Sequence, residues 1–407
     1  MNEQKLLQIR KERGYKIAKE NNIISKNGKW LVPSESSPHK SYEVILRIDK
    51  STCTCPDYVE RRLKCKHIFA VEIITSRQIN ADGSVTVTQT KRITYPQDWA
   101  NYDKAQTQQK ELFMKLLSGL CQGIDEPQYT FGRPRLPLSD MIFASGLKVY
   151  STFSLRRFMC DMQTAKEKGY TNTSCTYVSV SNYMKDAELT PILKKLITLS
   201  ALPLKSVESS FSIDASGFST SRFSRWYDHK YGKEKDVRVW YKAHLVNGNS
   251  THIVSAVEIT DAYENDTVML EQLTKETHQN FDVKELSADM GYLSRYNYDV
   301  LADMNIAPYI PFKSNVTGKP RGHNHIWRQM YGMFIYRQDE FLAHYHKRSN
   351  VETVFHMIKS KFSGNIRSKD ETACINEVLL KVLCHNICVL IEQMFELGIK
   401  PEFSNGA

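Results

Sequence analysis

The chain has 407 residues, with 55 Lys and Arg against 45 Asp and Glu, a net charge of +10 and a pI near 9.0. That length suits two or three domains with a proper core, and the basic balance favours a polyanionic partner bound in a salt-sensitive way. No charged and apolar leader opens the chain and no apolar run approaches a membrane span, so a cytoplasmic protein without a membrane partner is expected.

The bias is marked at the start, where residues 1–80 hold 16 Lys and Arg against 9 Asp and Glu, a net of +7. Trp30-Leu-Val and Tyr42 to Ile48 read as the strands of a hairpin. After them come Cys53-Thr-Cys55 and, beyond nine intervening residues, Cys65-Lys-His67. Three thiols and an imidazole, in two pairs tight enough to chelate, are a tetrahedral complement for one structural zinc ion. Pro56 and Asp57 can open a helix that carries Cys65 and His67. Ring strain and compartment both disfavour a disulfide within Cys53-Thr-Cys55. Cys121, Cys160, Cys175, Cys374, Cys384 and Cys388 are scattered as reduced thiols would be. The Cys-x-Cys and Cys-x-His pairs resemble a SWIM-type zinc finger, which implies a small zinc-binding ββα module over residues 25–80 that contacts DNA or protein. Arg61, Arg62, Lys64 and Lys66 lie inside it.

Residues 77–96 are polar, strand-like or linking, and mark a boundary. Asp98 to Gly123 reads as a helix, with Leu112, Phe113, Leu116, Leu117 and Leu120 on its apolar side. Residues 127–137 form a second linker. Its Gly132-Arg-Pro-Arg135 is similar to the core of an AT-hook, in which arginines enter an A·T minor groove; a plain loop before a helix is the simpler reading. Residues 138–203 hold about four helical patterns, one capped by Thr190-Pro191. With the preceding helix they make a helical region, 97–205, of a kind that could bind DNA by a helix-turn-helix.

From 208 the pattern changes to that of strands. Residues 211–216, 238–246 and 252–260 read as an antiparallel meander. A helix at 267–278, a short strand before Asp289, a helix at 294–303 and a fifth strand from Ala307 to Phe312 follow. Asp214 sits on the first strand, where Phe211 and Ile213 point inward and Gly217 permits close backbone approach just past the acid. Asp289 ends the short strand and precedes Gly291-Tyr292. Between 313 and 344, Lys313, Lys319, Arg321, His323 and His325 make a basic loop suited to DNA, and the two histidines lack partners for a metal.

Tyr345, Arg348, Glu352 and Lys359 follow with two, three and six residues between them. At roughly 100° per residue on one helix, the four fall within about 60° of one another. Val351, Phe355, Ile358 and Phe362 form an apolar stripe about 90° further round. A carboxylate there suits a metal, while the two cations and the phenol suit phosphate.

This set resembles the Tyr–Arg–Glu–Lys signature of insertion-sequence DDE transposases, and the resemblance covers roughly residues 130–395. It implies an α/β fold with an RNase H-like mixed sheet and flanking helices, here over residues 206–395. It implies that Asp214, Asp289 and Glu352 are catalytic acids holding two Mg2+ or Mn2+ ions, about 4 Å apart, for in-line cleavage and strand transfer. Tyr345, Arg348 and Lys359 would then grip DNA phosphates. The implied partners are double-stranded DNA (transposon ends and target) and further copies of the chain in the DNA complex, with nucleoid association. The 63 residues from Asp289 to Glu352 leave no room for the large all-β insertion of some relatives. A non-catalytic zinc-finger DNA-binding regulator is a rival reading, opposed by the intact acids. An RNase H-like nuclease without strand transfer would use the same residues.

Overall fold

The computed structural model describes residues 3–20, 23–26, 29–35, 37, 40–46, 51–79, 85–89, 98–128, 131–132, 134–220, 239–319 and 325–403. Arg133 of the AT-hook-like loop and Arg321 and His323 of the basic loop lie outside these residues. The chain divides into two compact units, Met1–Pro96 and Gln97–Ala407.

The first unit opens with α1 (Glu3–Glu20), followed by β1 (Ile24–Lys26), β2 (Lys29–Pro33), β3 (Ser41–Ile45) and β4 (Thr52–Cys53). These strands make one antiparallel sheet in chain order, with Trp30 opposite Val44 and Val44 opposite Cys53. The hairpin read from the sequence is its centre. Two short helices follow, α2 (Pro56–Arg61) and α3 (Lys66–Ile74), in place of the single helix expected to carry Cys65 and His67. Arg62 breaks the run by adopting φ 54°, with its N–H bonded to the Tyr58 carbonyl. The left-handed residue turns the chain, so Cys65 precedes α3 and His67 lies in its first turn. A second hairpin, β5 (Thr75–Ile79) with β6 (Val85–Gln89), occupies the polar stretch after the module.

Helix α1 belongs to this unit's core. Ile17 is fully buried with Val32, Val44, Tyr58, Ile68 and Val71. Gly14 permits the approach of α1 to α3, since a Cβ there would lie 2.6 Å from Phe69 Cβ and 2.9 Å from the Lys66 carbonyl. Buried Arg10 donates to Asp57 at 2.6 Å.

In the second unit α4 (Trp99–Gln122) starts where Asp98 accepts from the Asn101 N–H, and buries Phe113, Leu116, Leu117 and Leu120. Helices α5 (Leu138–Ser151), α6 (Met159–Glu167), α7 (Tyr177–Tyr183) and α8 (Leu189–Ala201) follow. Thr190 does not cap α8: the helix begins one residue earlier, and the Thr190 hydroxyl donates to Asn376 Oδ1 at 2.7 Å. Pro191 falls in the first turn, where a missing N–H costs no helical bond.

Strands β7 (Ser210–Ser219), β8 (Trp240–Gly248) and β9 (Val254–Asp261) form the antiparallel meander. After α9 (Asp266–Asn280), β10 (Glu285–Ala288) runs parallel to β7; after α10 (Arg295–Asp303), β11 (Ala307–Tyr309) runs parallel to β10. The sheet order is β11-β10-β7-β8-β9. This is the RNase H-like arrangement, with β7 at the centre. The fifth strand ends at Tyr309, short of the Phe312 read from the sequence. Helices α11 (Ile326–Tyr336), α12 (Gln338–Tyr345), α13 (Ser349–Phe362) and α14 (Glu371–Glu396) complete the fold.

Helix α14 corrects one expectation. It is long and apolar enough by composition to span a membrane, yet 94% of that stretch is buried inside the unit. Its apolar surface faces protein on all sides, as in a core helix. One continuous core joins α4, α5, α8 and α14 to the sheet. All nine cysteines are free thiols.

Candidate functional site

Asp214 stands mid-way along the central strand. Its Oδ1 accepts from the Ala215 N–H at 2.8 Å and its Oδ2 from Arg348 Nη1 at 2.7 Å. The register pairs Ala288 with Ile213, so the next residue on each strand, Asp289 and Asp214, emerge side by side. Asp289 caps a short 3-10 turn, Met290–Tyr292, by accepting from the Gly291 N–H at 2.7 Å. A Cβ at Gly291 would lie 2.8 Å from Asp289 Oδ1, so glycine keeps that carboxylate in place. Ser294 caps α10 by accepting from the Asn297 N–H. The close approach at Gly217 is that of the Trp240 ring, which would lie 2.9 Å from a Cβ at that position.

Glu352 arrives on the first turn of α13, 59% exposed. Arg348 Nη2 donates to it at 2.5 Å, so one guanidinium spans the carboxylates of β7 and α13. Burial pushes the Asp214 carboxyl up to about 6; Ala215 N–H and Arg348 oppose the shift, and neighbouring Asp289 and Glu352 add to it. Burial works against the Arg348 charge, but Asp214, Tyr345 and Glu352 outweigh it and raise its pKa.

Tyr345 ends α12, and a 3-10 turn, His346–Arg348, links it to α13. The four signature residues therefore do not share one uniform helix. Tyr345 nevertheless stays close enough to Arg348 to raise its pKa. Lys359 Nζ donates to Ser216 Oγ at 2.7 Å and lies 5.1 Å from the Phe218 ring centre. Burial lowers its pKa. Ser216 is two residues past Asp214, about 7 Å along the strand.

The sequence reading missed what holds this corner. Ser287 Oγ donates to the His344 carbonyl at 3.2 Å, and Ser212 Oγ, which donates to Asn249 Oδ1 at 2.6 Å, lies 3.4 Å from the Lys347 carbonyl. Buried Glu285 accepts from Ser210 Oγ at 2.6 Å, from His344 Nδ1 at 2.5 Å and from Lys347 Nζ. Burial alone would raise the Glu285 pKa; Lys347, Ser210 and His344 outweigh it and lower it. Tyr309 stacks on the His344 ring at 4.3 Å. Small hydroxyls at 210, 212 and 287 within apolar strands were the available signal. Beyond α13, fully buried Lys381 donates to the carbonyls of Ser363 and Asn365 at 2.9 and 2.7 Å. Its neighbour Glu377 accepts from the N–H groups of Arg367 and Ser368. Both ends of the Glu352 helix are thus tied to the core.

In the first unit, Cys53, Cys55, Cys65 and His67 are all buried, and their ligand atoms lie within 4.8 Å of one another. His67 Nδ1 is 3.9 Å from both Cys53 and Cys65 sulfurs. A tetrahedral zinc with ordinary bond lengths sets sulfur and nitrogen about 3.6 Å apart, so the cage fits the ion. Hydrogen bonding to Cys53 and His67 drops the Cys65 thiol to about 4, and the same contact and burial push Cys53 up. Among the described residues, buried His67 Nε2 has no hydrogen-bond partner, and Nδ1 is the nitrogen that faces the thiols. The basic run here is partly self-neutralised: Arg61 pairs with Asp57, Lys64 with Glu72 and Lys66 with Glu35.

The transposase DDE domain family matches residues 205–387, and the SWIM zinc finger family matches residues 41–74. The chain thus carries a transposase DDE domain behind a SWIM zinc finger. Comparison with curated proteins and with solved structures gives no match. The matched DDE domain spans every strand of the five-stranded sheet, together with α13 and most of α14. The SWIM match spans β3, β4, α2 and α3, and so the whole Cys3His cage, which fits zinc. A DDE domain of this family implies a divalent metal.

Proposed function

We propose that the chain is a DNA transposase that binds the ends of its own insertion sequence and catalyses metal-dependent strand cleavage and strand transfer. The observation that carries this reading is the Arg348 bridge: acids from two elements of the fold meet at one guanidinium, with Asp289 beside them. Three carboxylates against one arginine leave a surplus of negative charge; burial is the main reason the Asp214 pKa is raised, and Asp289 and Glu352 add to it. A divalent cation fits that surplus, with Asp214, Asp289 and Glu352 as its holders and Mg2+ or Mn2+ as the hard, oxygen-seeking ion. When bound, such ions stabilise charge on the attacking and leaving oxygens of a phosphodiester. The residues of the chain set the path of the DNA. Arg348 marks the acids with Tyr345 close by, and Lys359 reaches β7 at Ser216, about 7 Å further along the strand, so a strand crossing the acids meets cations in sequence. The DNA complex would hold two or more copies of the chain.

The test is incubation of purified protein and magnesium with DNA carrying the element's own ends, scored for cleavage and joining. Wild type should cut and join; Asp214→Asn, Asp289→Asn and Glu352→Gln should each abolish both while still binding ends. Cutting without joining would replace the reading by that of a nuclease, and near-normal cutting by any of the three variants would remove that acid from the site.

A further inference from the structure

A second basic site lies away from the acids. A cavity of about 810 Å³ opens between the end of α5, the 152–155 loop, the end of α7 and the start of α14. Lys148, Lys185, Arg367 and Lys369 line it, against one acid, Asp370. That acid is engaged, since its Oδ1 caps α14 by accepting from the Ala373 N–H at 3.2 Å.

Lys148 is the unusual member. It is only 6% exposed, and among the described residues its ammonium has no hydrogen-bond or ion-pair partner. Burial lowers its pKa; Glu377 nearby raises it and Arg367 lowers it. The Glu377 carboxylate is already taken by Lys381, by two backbone N–H groups and by the Ser368 hydroxyl. Lys148 shares the Glu377 charge with Lys381 but makes no direct bond to it, so the donors of this buried ammonium are open to an anion. Arg367 is fixed at the rim by donating to the Thr152 and Phe153 carbonyls.

The place of the cavity matters as much as its charge. Strand β7 runs five residues from Asp214 to Ser219, about 17 Å. There Ser219 accepts from the Ile366 N–H at 2.8 Å and its hydroxyl meets Asn365 at 3.2 Å. Arg367 is the next residue. The path from the acids past Lys359 to the cavity rim therefore matches about five base-pair steps of 3.4 Å.

We propose that this cavity holds a backbone phosphate of duplex DNA flanking the point of cleavage, with Lys148 as its buried cation and Lys369 and Lys185 at its mouth. The source of the phosphate rests on the DNA-processing reading above; the oxyanion chemistry does not. The test uses the full chain and a mixed-sequence duplex, with binding followed against salt. Lys148→Met and Lys369→Ser should each lower the salt slope by about one. Lys284→Ser, the loss of an exposed lysine already paired with Asp282, should leave it unchanged. Inorganic phosphate should raise the melting temperature of wild type and not of Lys148→Met, and duplex should remove that response. An unchanged slope in Lys369→Ser and in folded Lys148→Met overturns the site, and so does an equal fall in Lys284→Ser. A phosphate response that duplex leaves untouched overturns the DNA assignment in favour of a free phosphorylated molecule. Slopes that fall as expected in a protein that cuts no DNA would sink the transposase reading and leave this site standing.

Discussion

Replacing Asp214 by Asn should stabilise the magnesium-free protein at neutral pH. In the folded chain its carboxyl titrates at about 6 rather than at the ordinary 3.8. A raised carboxyl pKa means that the fold prefers the protonated form. Its stabilising contribution is complete below about pH 4 and is lost as pH rises through 6. At about 1.4 kcal/mol per pH unit, the loss amounts to about 3 kcal/mol by pH 7.5. Asparagine keeps an acceptor for the Ala215 N–H but weakens the hold on Arg348, so the net gain should be about 1–3 kcal/mol, or roughly 2–6 °C in a unit of this size. Melting curves of wild type and Asp214→Asn in magnesium-free buffer, at pH 4.0 and pH 7.5, measure it. The two should coincide at the lower pH and separate at the higher, with the variant above. Added magnesium should then raise wild type and not the variant. A variant less stable than wild type at pH 7.5, or a gap independent of pH, would refute the argument that burial, with the neighbouring acids, penalises the Asp214 charge.

Lys381→Met takes from buried Glu377 its ion-pair partner, with only the unbonded Lys148 charge left nearby, and should cost about 3–5 kcal/mol by chemical denaturation, with much of the loss recovered by adding Glu377→Gln; a cost below about 1 kcal/mol would show that the pair does not brace the 363–368 segment. Metal analysis of the full chain should find one zinc, lost in Cys65→Ser and in His67→Ala, because all four cage residues are needed. Gly14→Ala drives a methyl onto Phe69 and the Lys66 carbonyl and should destabilise the first unit by about 1–3 kcal/mol, seen as a lower temperature of zinc release. Arg348→Ala and Lys359→Ala should each lower the salt slope of end binding by about one, with Tyr345→Phe milder; transposition at wild-type frequency in both alanine variants would end the phosphate-grip reading.

The elements were legible where local pattern and burial agree. The amphipathic run of α4, from its Asp98 cap to Gly123, appears where the sequence places it, because capping and a 3.6-residue period are properties of the segment itself. The same holds for β7, β8 and β9. The Cys3His cage was legible because chelation by nearby ligands needs short spacing. Arg62 was not: nothing local distinguishes an arginine that will turn left-handed from one that continues a helix. The 3-10 turn at 346–348 escaped for a related reason, since its tightening answers to Ser212, Ser287 and Glu285, which lie some 60 to 135 residues away in sequence.

The sequence by itself determined the chemistry on offer: three acids in order, cations and a phenol at helical spacing, and four soft ligands in two tight pairs. Only the tertiary structure decided that Asp289 emerges beside Asp214, because a parallel register is set by side-chain burial across strands 75 residues apart. It alone decided that Arg348 joins Asp214 to Glu352. It also left Lys148, among the described residues, buried at a basic cavity without a direct bond to its nearest acid, Glu377, since that depends on how α5, α7 and α14 pack, and no spacing along the chain encodes it.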